Sequence, residues 1–157
     1  MLRRISWVAF LIYLLLVVDL VIVKRGDMGF AYAWERIRST LEMRREYGNW
    51  NLNLVPFATL KDTLVSYQKY GWGSLSFRTA FYNVFFFAPL GLLLPLIMKK
   101  PSTWKALSIA LSIILVVEVT QLVTGLGMFD IDDVLLNMTG SLIGLIFYFI
   151  AIRLLRA

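Results

Sequence analysis

The sequence contains no cysteine and no histidine among its 157 residues. Without cysteine the chain forms no disulfide and offers no thiolate to a metal, and without histidine it lacks the commonest metal ligand and general base. It also has no internal repeat and no low-complexity tract. Any chemistry of its own must therefore use carboxylates, amides, hydroxyls, lysine or arginine.

Long apolar runs dominate what is present. Hydrophobic residues make up 59% of the chain, which is too many for a compact soluble domain. Four runs are each long enough to cross a hydrocarbon core of about 30 Å as a helix: Ile5–Val23, Thr79–Met98, Trp104–Thr124 and Val134–Leu155. No small-residue cleavage site follows Val23, so we expect a retained first span rather than a signal peptide. The sequence predicts an all-α membrane protein, a single four-helix transmembrane bundle over residues 1–157.

The net charge of +6 is spread over helix ends and one long loop rather than gathered in a dense basic tract. Membrane lipids are therefore the expected partner, and nucleic acid is not. Lysine and arginine mark the ends of the runs that face the cytoplasm: Arg3, Arg4, Lys99, Lys100, Lys105, Arg153 and Arg156. The 125–133 turn has none, so we expect it outside the cell and both termini in the cytoplasm.

The loop 24–78 would also lie outside, although it contains nine Lys and Arg, including Lys24 and Arg25 directly after the first run. Its residues 28–47 place Phe30, Trp34, Ile37 and Leu41 at helical spacing, which predicts an amphipathic interfacial helix. This helix either seals the bundle at the headgroups or forms a lid that touches a ligand. Asparagines and a proline then oppose helix before a short helix over 59–70 and a flexible joint over 71–74.

Five amide or acidic side chains fall inside the predicted spans, where they are costly and indicate a functional site by default. Because successive spans alternate direction, all lie roughly 5–9 Å below the surface that carries the 125–133 turn. They are Asp19, Asn83, Glu118, Gln121 and Asn137. Asp19 is expected to pair with a loop cation, Lys24, Arg25 or Arg78. Pro89 and Pro95 predict a kink near Phe85–Gly91.

The fourth run carries one polar and small stripe at helical spacing. It consists of Asp130, Asp133, Asn137, Gly140, Ser141 and Gly144. Gly140 and Gly144 would permit close contact with another helix. The acidic residues at the start of this run have an alternative, structural interpretation. Asp130 would be an N-cap, and Asp132 and Asp133 would be favoured at the positive end of a helix. Asn137 could simply join two helices by a hydrogen bond.

Several segments, taken together, resemble the VanZ-like family of bacterial membrane proteins over nearly the whole chain. They are Asn53-Leu-Val-Pro-Phe57, Asn83 through Phe-Ala-Pro-Leu-Gly91, Glu118-Val-Thr-Gln121, and Phe129 through Asn137 with Gly140. The resemblance implies a multi-pass protein of the cell envelope, whose namesake is associated with resistance to the lipoglycopeptide teicoplanin. Family members often have an arginine just before the acidic turn. This chain lacks it. If that arginine helps to bind an anion, this chain either uses Arg78 or another loop cation instead or has an altered specificity.

The leading functional hypothesis is an outward-facing polar pocket, roofed by the amphipathic loop, that binds an envelope amphiphile. The amphiphile would be a lipoglycopeptide, a lipid-linked wall precursor or a lipid headgroup. The predicted ligand-binding residues are Asn53, Asn83, Glu118, Gln121, Asp130, Asp133 and Asn137.

The alternative is a membrane enzyme that modifies lipid headgroups or wall precursors. Glu118 would be the general base and Asp130 or Asp133 the acid, or these carboxylates would hold a hard cation such as Mg²⁺. No other cofactor is expected, and no nucleophile motif is present. A transporter is a weaker reading, because no charged residue lies in the inner half of the spans. The oligomeric state stays open.

Overall fold

The computed structural model describes residues 2–23, 30–48 and 50–156. Helices make up nearly all of this part of the chain, together with two strands of two residues each and one 3-10 turn. The helices are α1 (Leu2–Val23), α2 (Phe30–Tyr47), α3 (Ala58–Tyr70), α4 (Leu75–Ile97), α5 (Thr103–Thr124) and α6 (Ile131–Arg156). The strands are β1 (Leu52–Asn53) and β2 (Phe129–Asp130).

Among the described residues, three helices are long and apolar enough to span a membrane. They are α4, α5 and the Ile131–Leu155 part of α6. The protein is therefore an all-α membrane protein, as the sequence predicts. The count of four spans stays a prediction, because it depends on α1.

The closest helix pair is α4 with α6, which pack backbone against backbone. A Cβ added at Gly140 would overlap the carbonyl oxygen of Val84, and one at Gly144 would overlap that of Ala88. Side chains larger than hydrogen therefore have no room at these two positions. The close contact predicted from the Gly140–Gly144 spacing is confirmed, and α4 is the partner.

Hydroxyls from two neighbouring helices bind the backbone of α4. Ser141 Oγ of α6 donates to the Phe87 carbonyl at 3.2 Å, and Tyr13 Oη of α1 donates to the Phe86 carbonyl at 3.1 Å. Both carbonyls lie just before Pro89, where α4 runs on as one helix through Pro89 and Pro95. The kink expected there stays a prediction.

The Gly71–Gly73 segment forms a turn of 3-10 helix. The flexibility expected over 71–74 stays a prediction. Ser74 is buried and caps α4, its Oγ accepting a hydrogen bond from the Phe77 N–H at 3.2 Å. A serine N-cap satisfies one of the free N–H groups at a helix start. For this reason α4 begins at Leu75, before the apolar run that begins at Thr79.

The predicted amphipathic helix is α2, which begins at Phe30; residues 28 and 29 of the prediction lie outside the described residues. Trp34 and Leu41 are exposed on α2. Thr40 is buried, and its side chain lies where a Cβ on Gly125 would be. Gly125 ends α5 with a φ of 68°, a left-handed conformation that glycine adopts without a steric penalty. α2 therefore packs against the C-terminal end of α5.

Candidate functional site

A two-residue parallel bridge joins the long loop to the start of α6. Leu52 pairs with Phe129 and Asn53 with Asp130, and the Phe129 N–H donates to the Asn51 carbonyl at 3.0 Å. This bridge brings an asparagine-rich loop segment to the acidic turn, far away in the sequence. The polar site is built around it.

Asp130 is the centre of the first cluster and is only 2% exposed. Thr59 Oγ1 donates to its Oδ2 at 2.6 Å, and Asn53 Nδ2 lies 3.3 Å from both of its oxygens. The backbone N–H of Asp132 donates to its Oδ1 at 2.9 Å. The prediction that Asp130 is the N-cap of α6 is confirmed, and Asp130 also binds the loop. Thr59 was missed by sequence reasoning, because an isolated threonine at a helix start gives no local sign of a distant partner.

Asp132 is completely buried and holds the start of α3. Its Oδ1 accepts from the Phe57 N–H at 2.6 Å and its Oδ2 from the Leu60 N–H at 3.0 Å. Free N–H groups and the helix dipole at an N-terminus both favour a carboxylate there. The sequence analysis predicts Asp132 at the positive end of a helix without identifying that helix. The hydrogen bonds come from α3.

Phe57 has a left-handed backbone, with φ of 66°. For a residue other than glycine this conformation costs roughly 1–2 kcal/mol. The Asp132 carboxylate binds the N–H of this same residue, so it helps to hold the strained conformation. Strained residues of this kind gather at binding sites, and Phe57 lines the cavity described below.

Two further amide–carboxylate pairs join the helices below this turn. Asn83 Nδ2 donates to Asp133 Oδ1 at 2.6 Å, between α4 and α6. Asn137 Nδ2 donates to Glu118 Oε1 at 3.3 Å, between α6 and α5. Glu118 and Asn137 are each 2% exposed, which shows that the pair is enclosed. Such polar contacts stabilise helix pairs in a membrane.

Gln121 is also buried, and its side chain lies within contact distance of a Cβ placed on Gly127. Asn137 Oδ1 is buried without a hydrogen-bond donor among the described residues. An unmatched amide oxygen in a protein interior is unfavourable. The Oδ1 atom of Asn137, a predicted site residue, is therefore available to accept a hydrogen bond from a ligand.

Six of the seven predicted site residues thus come together in three pairs, and Gln121 is not part of any of these three pairs. Within the described ranges, no three acidic side chains form a group that could hold a metal ion. The geometry gives no support to a Mg²⁺ site. Asp19 is exposed on α1 and forms no salt bridge with Arg78 in the described part of the chain. Its other two predicted partners, Lys24 and Arg25, lie outside the described residues.

Arginines of α2 lie beside the start of the 125–133 turn. Arg44 donates to the carbonyls of Val123, at 3.0 Å, and of Leu122, and Arg36 Nε donates to the Gly125 carbonyl at 3.3 Å. Cations at a helix C-terminus are favourable, because the last carbonyls have no partner within the helix. The cations near this turn are therefore Arg36 and Arg44, and both bind carbonyls of the chain.

A cavity of about 520 Å³ lies between α3, α4 and α6, next to the Asp132 contacts. Its walls are almost wholly apolar, and Lys61 carries the one charge among the lining residues. They are Phe57, Leu60, Lys61, Thr63, Leu64, Phe77, Ala80, Phe81, Val84 and Leu136. We call this space the α3–α4 groove. None of the seven predicted ligand-binding residues lines it.

The family comparison matches residues 10–153, described as VanZ/LLP1. The chain belongs to the VanZ/LLP1 family. The resemblance seen in the sequence is thereby confirmed. The comparisons with curated proteins and with solved structures give no match.

In this VanZ/LLP1 protein the segments that carried the resemblance meet in space. The Asn53–Phe57 segment contacts the acidic turn through Asp130 and Asp132. Asn83 and Glu118 each pair with a side chain of α6. The α3–α4 groove was not predicted, since its lining residues come from three segments and carry no local motif.

Proposed function

We propose that this VanZ/LLP1 protein binds an envelope amphiphile in the α3–α4 groove and thereby contributes to resistance against teicoplanin-type lipoglycopeptides. The observation that carries the proposal is the groove itself, about 520 Å³ with apolar walls. That volume is within the usual range for small-molecule sites. An acyl chain would fill it, because apolar walls gain most from apolar surface that leaves water.

The polar residues have a positioning role in this proposal. Asp130 and Asp132 hold Thr59 and the first N–H groups of α3, so they place the helix that forms one wall of the groove. Asn83 and Asp133 join the two other helices of the groove. A ligand hydroxyl at Asn137 Oδ1 is the direct contact that the described hydrogen bonds leave open.

The groove would lie in the outer half of the membrane. Lys99, Lys100 and Lys105 lie where α4 ends and α5 begins, which is the side of the bundle opposite to the acidic turn. Short connections rich in lysine and arginine are typically cytoplasmic. Both termini would then be cytoplasmic and α3 would lie near the outer leaflet, where lipoglycopeptides and wall precursors are met.

Filling the groove tests the proposal. Ala80→Trp places a large ring among the groove residues, whereas Val116→Trp adds the same ring to an exposed position of α5. Purified protein in neutral detergent would be titrated with teicoplanin and with a phospholipid that carries a fluorescent acyl chain. We expect at least one of these amphiphiles to bind and Ala80→Trp to weaken its binding about tenfold, with Val116→Trp unchanged. An affinity that is unchanged in Ala80→Trp would reject the groove as the binding site.

The role of the polar residues has its own test. Glu118→Gln and Asp133→Asn would be measured in the same titration. We expect weaker binding, because both side chains help to hold α6 against its neighbours. Unchanged affinity in both variants rejects a role for these residues in binding.

The enzyme alternative is favoured by the almost complete burial of Glu118 beside Asn137. A carboxylate at membrane depth indicates a functional site by default, and a general base is one such function. Mass spectrometry of lipid and wall-precursor pools, with and without the protein, separates the hypotheses. A new product that disappears in Glu118→Gln supports the enzyme, and unchanged pools support the binder.

A further inference from the structure

Lys61 is the charged residue of the α3–α4 groove. It lies in the first turn of α3, is exposed, and lines the groove together with Leu60 and Leu64. Within the described ranges no carboxylate lies within salt-bridge distance of its ammonium group. The adjacent hydrogen-bond donors of α3, the N–H groups of Phe57 and Leu60, are already bound to Asp132.

Three other cations of the described loop have partners. Arg38 forms a salt bridge with Glu42 at 3.3 Å. Arg44 binds carbonyls of α5 and lies 4.5 Å from the Trp50 ring centre. The ammonium of Lys69 lies 5.1 Å from the ring centre of Tyr70. Lys61 differs from these three because it combines an apolar binding space with a positive charge that has no partner in the described structure.

This combination suits one ligand chemistry. A lysine stem packs along apolar surface while its ammonium stays at the edge, so the charge belongs at the mouth of the groove. A lipid whose acyl chain lies in the groove would have its headgroup at that mouth. A phosphate oxygen there would accept a charge-assisted hydrogen bond, which is roughly twice as strong as a neutral one. A headgroup of net positive charge would be repelled.

We propose that the groove takes an anionic phospholipid of the bilayer, with one acyl chain between α3 and α4 and its phosphate at Lys61 Nζ. The inference rests on the proposed function and adds to it the class of ligand. It also assigns Lys61 as the residue that selects the headgroup. The apolar walls of the groove bind the acyl chain of the lipid.

Native mass spectrometry of the full chain in neutral detergent tests this assignment. Phosphatidylglycerol and phosphatidylcholine with identical acyl chains would be titrated separately. We expect about tenfold tighter binding of phosphatidylglycerol, because both lipids offer a phosphate to Lys61 but only phosphatidylcholine also brings a trimethylammonium group that the lysine repels. Lys61→Gln should reduce it to the phosphatidylcholine level, and Lys61→Arg should retain the preference. Lys69→Gln is the matched control on the same helix, and it should behave as the unsubstituted protein.

The outcomes separate the two proposals. Equal binding of both lipids, each weakened by Ala80→Trp, would overturn the anionic assignment and leave the groove as the binding site. A preference for phosphatidylglycerol that persists in Lys61→Gln would also overturn it. Binding of neither lipid would overturn the anionic assignment, even if teicoplanin binds in the groove. Lipid binding that Ala80→Trp does not change would overturn the groove and the assignment together.

Discussion

The Asp132 carboxylate, in the first turn of α6, lies 2.6 Å from the backbone nitrogen of Phe57, which is 75 residues earlier in the chain. A carboxylate in the first turn of one helix thus accepts hydrogen bonds from the free N–H groups at the start of another helix. The contact orders the loop that precedes α4 and places α3 beside the membrane-spanning helices. The α3–α4 groove exists because α3 is held in this position.

Replacing Asp132 should release α3. In Asp132→Asn the side chain keeps its size but loses its charge, and one of its two acceptors becomes a donor that faces backbone N–H groups. Because the site is fully buried, we expect a loss of about 2 kcal/mol and a lower midpoint of thermal unfolding in detergent. Asp62→Asn, on the exposed side of α3, is the control. Equal midpoints for both variants would contradict this role.

Gly144 should tolerate no side chain. A Cβ there overlaps the Ala88 carbonyl, so Gly144→Val must push α4 away from α6. We expect poor expression or a midpoint several degrees lower, whereas Ile143→Val, next to it on a partly exposed position, should cost about 1 kcal/mol or less. A folded Gly144→Val protein with the original thermal midpoint would show that α4 and α6 are not in backbone contact.

Arg44 should contribute more stability than its neighbour Arg45. The Arg44 guanidinium binds two C-terminal carbonyls of α5, whereas Arg45 is exposed. We expect Arg44→Ala to lower the thermal midpoint and to expose α2 to limited proteolysis, with a loss of about 1–3 kcal/mol. Arg45→Ala should leave both measurements unchanged. If the two variants are cut at the same rate, α2 is not held by this contact.

The sequence predicts the helices better than it predicts their contacts. The spans predicted to begin at Thr79, Trp104 and Val134 begin at Leu75, Thr103 and Ile131 in the structure, because apolar runs do not mark capping residues. Periodicity identified Gly140 and Gly144 correctly as contact positions. It could not show that Asp132 binds α3, since this depends on a pairing between β1 and β2 that two-residue strands do not signal.

The candidate site shows the same limit. Its polar members are visible in the sequence, because an amide or carboxylate inside an apolar run is conspicuous. Their pairing as Asn83 with Asp133, and Glu118 with Asn137, depends on helix rotation, which alternation of span direction does not specify. The groove residues are ordinary apolar side chains such as Leu64 and Leu136, and only the folded arrangement brings them around one cavity.

The orientation can be tested directly because the chain has no cysteine. Single cysteines at Asp62, on α3, and at Thr103, at the start of α5, introduce unique labelling sites on exposed positions. We expect a membrane-impermeant maleimide to label Asp62→Cys in intact cells and Thr103→Cys only after permeabilisation, as the distribution of lysine and arginine requires. The reverse pattern would place the groove at the cytoplasmic leaflet and exclude direct contact with extracellular drugs.

The most direct test of the central claim is photocrosslinking with a phospholipid that carries a diazirine on its acyl chain, followed by peptide mapping of the adducts. If an amphiphile occupies the α3–α4 groove, the adducts will concentrate on groove residues such as Leu64, Phe81 and Leu136, and Ala80→Trp will reduce them. Adducts spread evenly over exposed positions such as Leu15 and Val116, with no change in Ala80→Trp, would contradict the account.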